Sequence, residues 1–178
     1  MERALRPLHR RRQHRSIRSM DFIWSPWRYD YLASGGRKPS SCVFCLTEDR
    51  SHDADRLVVL RGSYNFVILN LFPYTSGHVM IAPYEHLNTI AGAKPEQLSE
   101  MMQLSQRAIT ALQKLYGPEG FNLGMNLGSA AGAGIREHYH LHVVPRWNGD
   151  ANFMTITAET RVLPEELSVT YRRLSEAL

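Results

Sequence analysis

His138-Tyr139-His140-Leu141-His142-Val143-Val144, followed by Pro145-Arg146-Trp147, is the stretch that decides how this 178-residue chain reads. Histidine and bulky apolar residues alternate with a period of two, the pattern of a half-buried β-strand. His138, His140 and His142 then project from one face, while Tyr139, Leu141 and Val143 pack on the other. Three imidazoles in a row are poor packing material, so that face is expected to be chemical. Length disfavours one metal ion shared by all three. Same-face neighbours lie roughly 6.6 Å apart along a strand, which separates the outer two by about 13 Å. Separate tasks for the three histidines follow, with the middle one facing the substrate.

Upstream, Leu57–Arg61, Asn65–Leu69 and His78–Pro83 are strand-like runs, the first two joined by a tight turn at Gly62-Ser63. The loop Asn70–Gly77 precedes the third. Pro95 opens a helix at a position where its missing N–H is harmless. Leu98, Met102, Ile109 and Leu112 form its expected apolar stripe, with Met101 also assigned to the core, and Gly117-Pro118 ends it near Tyr116. Phe121–Asn126 reads as a fourth strand. Beyond the histidines, Asn148-Gly149-Asp150 makes a turn, Phe153–Ile156 reads as an edge strand, and a last helix is expected from about Pro164 to Ala177. Few helices and sequentially adjacent strands give the α+β class: an antiparallel sheet of about five strands with one long and one C-terminal helix. No internal repeat is visible.

Composition bounds the rest. Hydrophobic residues at 43% and charged residues at 21% are ordinary globular values, and the length is that of one domain with a real core. No apolar run approaches the ~20 residues that span a membrane. The net charge of +4 is unevenly placed. Residues 1–20 hold seven arginines against one acid, Glu2, whereas the remainder holds 14 Lys and Arg against 16 Asp and Glu, a net of −2. Residues 1–19 are therefore expected to be a disordered basic leader ahead of a single domain over 20–178. A basic arm for nucleic acid and a transit peptide are the sharper readings, and Met20 could be the true start. The nucleic-acid reading is disfavoured because it leaves the histidines unexplained. The leader lacks the apolar core of a secretory signal. Phe22-Ile23-Trp24-Ser25-Pro26-Trp27-Arg28-Tyr29 is dense in aromatics and is expected to cover the domain's own apolar surface or a partner subunit. Two cysteines, Cys42 and Cys45, do not make a disulfide scaffold, so a reducing cytoplasm is the default compartment.

Asn126-Leu127-Gly128-Ser129-Ala130-Ala131-Gly132-Ala133-Gly134 has almost no side chains. Glycines there let backbone amides approach a ligand and form an anion-binding nest. Alone, a flexible connector is an equal reading; beside three histidines a phosphate cradle is the better one.

These stretches together resemble the HIT (histidine triad) superfamily of nucleotide hydrolases and transferases. Residues 138–144 match its His-φ-His-φ-His-φ-φ pattern, in which φ is apolar. Asn70-Leu71-Phe72-Pro73 with Gly77-His78, Pro83 and His86 looks like the family's upstream signature, and the likeness covers roughly residues 21 to 160. Trp24-x-Pro26-Trp27-Arg28 and Pro145-Arg146-Trp147-x-Gly149-Asp150-x-Asn152-Phe153 look most like the bacterial diadenosine tetraphosphate phosphorylase branch.

The resemblance implies a HIT-like fold, a homodimer with a sheet continuing across the interface, and nucleotidyl transfer at an α-phosphate. His140 is the implied nucleophile, its tautomer set by a strand carbonyl. His142 would handle charge or proton at the phosphate oxygens or leaving group. Asn126 and the amides of Gly132, Ala133 and Gly134 would hold the non-bridging oxygens, and Asn70 falls at a ribose-binding position. Val43, Phe44 and Trp147 would wall the purine. His78 faces the phosphates or is a plain strand-end residue, and His52 is expected in solvent. Many family members place Gly-Gln-Ser/Thr before the triad. Gly132-Ala133-Gly134-Ile135-Arg136-Glu137 stands there instead, so backbone donors alone are expected, with Arg136 and Glu137 a solvated pair. Cys42 and Cys45 make half a tetrahedral zinc site. His86 and His138 complete it at positions that the superfamily's uridylyltransferases use this way, which points to structural zinc and no organic cofactor. A redox pair and two buried thiols are the alternatives.

The expected substrate is an adenine dinucleoside polyphosphate, and the expected activity is ADP-forming phosphorolysis of diadenosine tetraphosphate. A hydrolase of dinucleoside polyphosphates or nucleoside phosphoramidates is the runner-up, and a nucleotide-binding module without turnover comes third.

Overall fold

Among the described residues five strands hydrogen-bond into one antiparallel sheet, in spatial order first, second, third, fifth, fourth along the chain, which places the histidine strand between the third strand and the fourth at the edge. The computed structural model describes residues 42–45, 50–150 and 165–178. In chain order these hold β1 (Val58–Arg61), β2 (Asn65–Leu69), β3 (Val79–Pro83), α1 (Pro95–Tyr116), β4 (Gly120–Gly124), β5 (Leu141–Arg146) and α2 (Leu167–Ala177). The α+β class, the antiparallel sheet and the two helices agree with the sequence reading. The leader, the aromatic segment over 22–29 and the strand expected at 153–156 lie outside the described residues.

Alternation sorts each strand's side chains onto two faces. Val59, Val67, Leu69, Val79, Ile81, Tyr139, Leu141 and Val143 pack against Met101, Leu104, Ala108, Ala111 and Leu112 of α1 and Leu174 of α2. On the other face Val58, Phe66, Ile68, Met80 and Ala82 form a smaller cluster with Phe44. β2 and β3 are buried at every position, so the sheet's centre is dry on both sides.

The helix begins at Pro95 as expected, with the Lys94 N–H donating to Gln97 Oε1, and stops at Gly117, whose φ of 54° is the left-handed cap. Its buried stripe differs from the expected one. Gln97, Met101, Leu104, Ser105, Ala108, Ala111 and Leu112 face the sheet, while Met102 is 57% exposed. Ala108 and Ala111 take sheet-facing positions, so the stripe runs through Met101, Leu104, Ala108 and Leu112 and leaves Met102, one position on, outside it. Glu100 ties α1 to the β1–β2 turn, accepting from the amides of Ser63, Tyr64 and Asn65 at 2.6–2.7 Å. Burial pushes its carboxyl upward, but these bonds and the one from Asn65 Nδ2 outweigh it and hold the group below the usual carboxylate range.

Strand limits shift slightly. β4 pairing ends at Gly124 rather than Asn126, and β5 pairing begins only at Leu141. His138, Tyr139 and His140 precede the ladder. The Tyr139 N–H donates instead to the Leu87 carbonyl at 2.7 Å, while side-chain alternation persists through them.

Candidate active site

The site is built where β3, β5 and the loops before them meet. His140 is 5% exposed, and its Nδ1–H donates to the carbonyl of His138 at 3.0 Å. A carbonyl only accepts, so the proton is assigned to Nδ1 and the Nε2 lone pair is left available. Burial depresses the pKa of His140, and the bond to His138 pulls it back only in part. A neutral imidazole with a free lone pair is what a nucleophile requires.

His142 is held from behind. His78 Nε2 lies 3.0 Å from His142 Nδ1. His78 Nδ1 accepts from the Tyr74 N–H at 3.1 Å and faces Asn70 Nδ2 at 3.3 Å. Asn70 is itself oriented, because its Oδ1 accepts from the Phe72 N–H at 2.9 Å. With its Nδ1 an acceptor, His78 carries its proton on Nε2 and donates it to His142 Nδ1. His142 is then protonated on Nε2, which makes it a donor. Its pKa is lowered to about 4, by burial first and then by His140, whose ring centroid is 4.8 Å away. A cleft of about 340 Å³ opens beside His142, lined also by Tyr74, Asn122, Asn126, Val144 and Arg146.

The other expected residues fall as follows. His78 is fully buried behind His142 and is not part of the lining of this cleft. Asn70 is half-buried, with its amide engaged by His78 and Phe72. Asn126 borders the cleft. The loop after it turns at Gly128 and Gly132, both at positive φ. The amides of Gly132 and Ala133 are spent inside it, donating to Ser129 and Gly128 carbonyls. Gly134, exposed at the loop's end, has no hydrogen-bond partner among the described residues. Val43 is 49% exposed but Phe44 only 1%, its ring packed 4.8 Å from His140. Trp147 is half-buried, and its N–H donates to Asp150, which also binds Arg146. His52 is exposed beside Asp55, and Arg136 and Glu137 are exposed as expected.

On the far side of His140, Cys42, Cys45, His86 and His138 bring one donor atom each to within 4.8 Å of one another. Cys42 Sγ and Cys45 Sγ lie 3.5 and 3.9 Å from His138 Nδ1, and Cys45 Sγ lies 3.2 Å from His86 Nδ1. Tetrahedral zinc with Zn–S of about 2.3 Å and Zn–N of about 2.0 Å separates its ligand atoms by roughly 3.5 Å. The His138 Nε2–H donates to the Pro83 carbonyl at 2.8 Å, which turns the Nδ1 lone pair toward the thiols. Burial lowers the His138 pKa, favouring the neutral form a metal needs. The donor set fits a metal ion.

Two features escaped sequence reading: the Asn70–His78–His142 relay and the seat of Phe44 against His140. The first had a signal in the Asn70…His78 motif, but a motif does not say which way a ring turns.

A family model described as HIT domain matches residues 51–149. The chain is 40% identical over 159 residues to the AP-4-A phosphorylase of Mycobacterium tuberculosis, which covers 86% of this chain and 82% of that one. Among solved structures it is similar to a Zn-bound histidine triad family protein from Mycobacterium smegmatis, with a TM-score of 0.60 and 29% identity over 77% of this chain and 92% of that one. Plasmodium falciparum diadenosine triphosphate hydrolase shares the fold alone, with a TM-score of 0.53 at 15% identity over 68% of this chain and 73% of that one.

Proposed function

The chain belongs to the HIT family, and from that premise we propose that it is a nucleotide-processing enzyme that splits diadenosine tetraphosphate with inorganic phosphate into ADP and ATP. His140 Nε2 attacks the α-phosphorus, and the bond to the bridging oxygen breaks, so ATP leaves and AMP stays on the imidazole. A triphosphate oxygen is a stable anion. It needs a hydrogen bond rather than a proton, and His142 Nε2–H supplies it. An oxygen of inorganic phosphate then attacks the same phosphorus. The P–N bond breaks, ADP departs with one proton released to solvent, and His140 Nε2 regains its lone pair. Asn126 and the Gly134 amide hold the non-bridging oxygens. Asn70 reaches the ribose, and Val43 and Trp147 border the base.

The observation that carries this reading is the pair of ring contacts, His140 Nδ1 on the His138 carbonyl and His142 Nδ1 on His78 Nε2, with rings 4.8 Å apart; they assign opposite tautomers, His140 protonated on Nδ1 and His142 on Nε2. One presents a lone pair and the other a donor, which is the division that phosphoryl-type transfer requires. The 40% identity to a protein named AP-4-A phosphorylase favours phosphate over water as acceptor.

Cys42, Cys45, His86 and His138 are proposed to hold zinc, which when bound cross-links the Cys42–Cys45 turn to the strand segments. The exposed edge strand β4, with Leu123 42% exposed, is the proposed seam of a homodimer. A cytoplasmic location, alongside its nucleotide substrates, is part of the same proposal.

Incubation with diadenosine tetraphosphate, with and without phosphate, tests the function. ADP plus ATP formed only with phosphate supports it; AMP plus ATP without phosphate makes the protein a hydrolase. Binding without products in either condition overturns the enzyme reading.

A further inference from the structure

We propose that Phe44, carried on the Cys42–Cys45 turn, is a positioning residue for His140, and that closure of the turn onto His86 and His138 by a metal ion is what holds it there. The inference rests on the reading of His140 as the nucleophile.

The first observation is burial. Phe44 is 1% exposed, so it has almost no surface to offer a purine. Its ring instead lies 4.8 Å from the His140 ring at 43°, 5.5 Å from His138 at 64° and 6.5 Å from Phe66. It fills the space beside the nucleophile's ring and limits the directions that ring can take.

The second is where the ladder stops. β5 pairing begins at Leu141, so among the described residues no strand-to-strand ladder bond holds His138 or His140. Yet the carbonyl that sets the His140 tautomer belongs to His138. That residue is fixed from two sides, by its Nε2–H on the Pro83 carbonyl and by the thiols facing its Nδ1. The Cys42–Cys45 turn therefore touches the nucleophile twice, once through Phe44 and once through the His138 main chain.

The third is the turn itself. Cys45 N–H donates to the Cys42 carbonyl at 3.1 Å, one backbone bond for four residues among the described residues. Such a turn does not fix its own side chains; ligation of both thiols does. The larger core lies on the opposite face of the sheet, so releasing the thiols loosens the site while leaving the fold.

The test uses the full chain with 15N-labelled histidines, zinc-loaded and reduced. It is compared with the chelated protein and with Cys45→Ser, Phe44→Ala and Phe44→Leu. His140→Gln identifies the His140 ring signals. In the loaded wild type His140 is expected wholly as the Nδ1–H tautomer. Chelation or Cys45→Ser removes zinc and gives a mixture of tautomers with unchanged far-UV circular dichroism. Phe44→Ala keeps a full equivalent of zinc and gives the same mixture, with Phe44→Leu intermediate. In turnover, kcat falls roughly ten- to a hundredfold while KM stays within about twofold. An unchanged His140 tautomer in both the chelated protein and the Phe44 variants overturns the proposal. So does zinc loss from Phe44→Leu, since Phe44 would then act on the metal site alone. Phe44→Leu decides the matter if Phe44→Ala fails to fold. Tautomer shifts without turnover in any sample, wild type included, would sink the proposed function and leave the positioning intact.

Discussion

His78 Nε2 donates to His142 Nδ1 across 3.0 Å, joining residues 64 positions apart. The contact decides which nitrogen of His142 faces the cleft as a donor, and His78 owes its own tautomer to Tyr74 and Asn70. His78→Ala frees the His142 ring to rotate and to exchange its proton between nitrogens. The expected outcome is a fall in kcat of roughly 10–100-fold, the range seen when an orienting partner is lost. KM is expected to change little, since His78 is buried away from the cleft. Steady-state kinetics check this, and an unchanged kcat would remove the relay from the mechanism.

The same burial sets a pH dependence. The folded pKa of His142 is about 4 against an ordinary value near 6.5. The unfolded chain therefore takes up a proton between these values while the folded chain does not, and stability falls as pH drops through that window. Fully expressed, a shift of this size is worth roughly 3 kcal/mol. Thermal unfolding from pH 7 to pH 4 should show a loss of stability that is smaller in His142→Asn. Equal slopes for the two proteins would mean that other groups carry the effect.

Metal content has a definite expectation. Purified protein should carry about one equivalent of zinc per chain, reduced sharply in Cys42→Ser and His86→Ala. Chelation should lower the melting temperature of the wild type but not of Cys42→Ser. Less than about a tenth of an equivalent in the wild type, after zinc-supplemented growth, would rule against the site.

Tyr139 offers a test in the core. Its ring is 1% exposed among the residues that pack on α1, and its hydroxyl is buried with no hydrogen-bond partner among the described residues. An unsatisfied buried hydroxyl costs about 1–3 kcal/mol of desolvation. Tyr139→Phe removes it at nearly constant volume. The variant should be more stable by about 1 kcal/mol, measured by denaturant unfolding, with unchanged activity. A destabilised variant would reveal a polar partner for the hydroxyl.

What sequence could and could not foretell divides along the range of the interactions. The alternation at 138–144 is local, and it foretold the two faces correctly even where the ladder is absent. Pro95 and Gly117 likewise marked the ends of α1, because caps act within a turn. The stripe of α1 runs through Met101 and Leu104 rather than Met102, because alanines hold the sheet-facing positions 108 and 111 and a stripe drawn through the large side chains passes them over. Sequence leaves His78 facing the phosphates or at a plain strand end, and the family resemblance puts Phe44 on the purine wall. Their directions depend on residues far off in the chain: His142 for the first, His138 and His140 for the second. Residue types point to a chemical face, but ring orientation is a tertiary property.

Gly77 is where the relay and the core meet. Its φ is +77°, a conformation that residues with a Cβ rarely adopt, and a Cβ there would sit 2.6 Å from Leu112 Cδ2. Leu112 is fully buried in the α1 face of the core, so its methyl cannot retreat without disturbing neighbours. Gly77→Ala thus meets two penalties, left-handed backbone and overpacking, each on the order of 1–3 kcal/mol. Relief requires the loop to move, and the residue that moves with it is His78. Two measurements should change together: a stability loss of about 2–6 kcal/mol and a kcat defect resembling that of His78→Ala. Leu112→Ala in the Gly77→Ala background should restore much of kcat by making room for the Cβ, even though it removes core volume. If kcat stays low in the double variant, the strained backbone alone accounts for the displacement of His78.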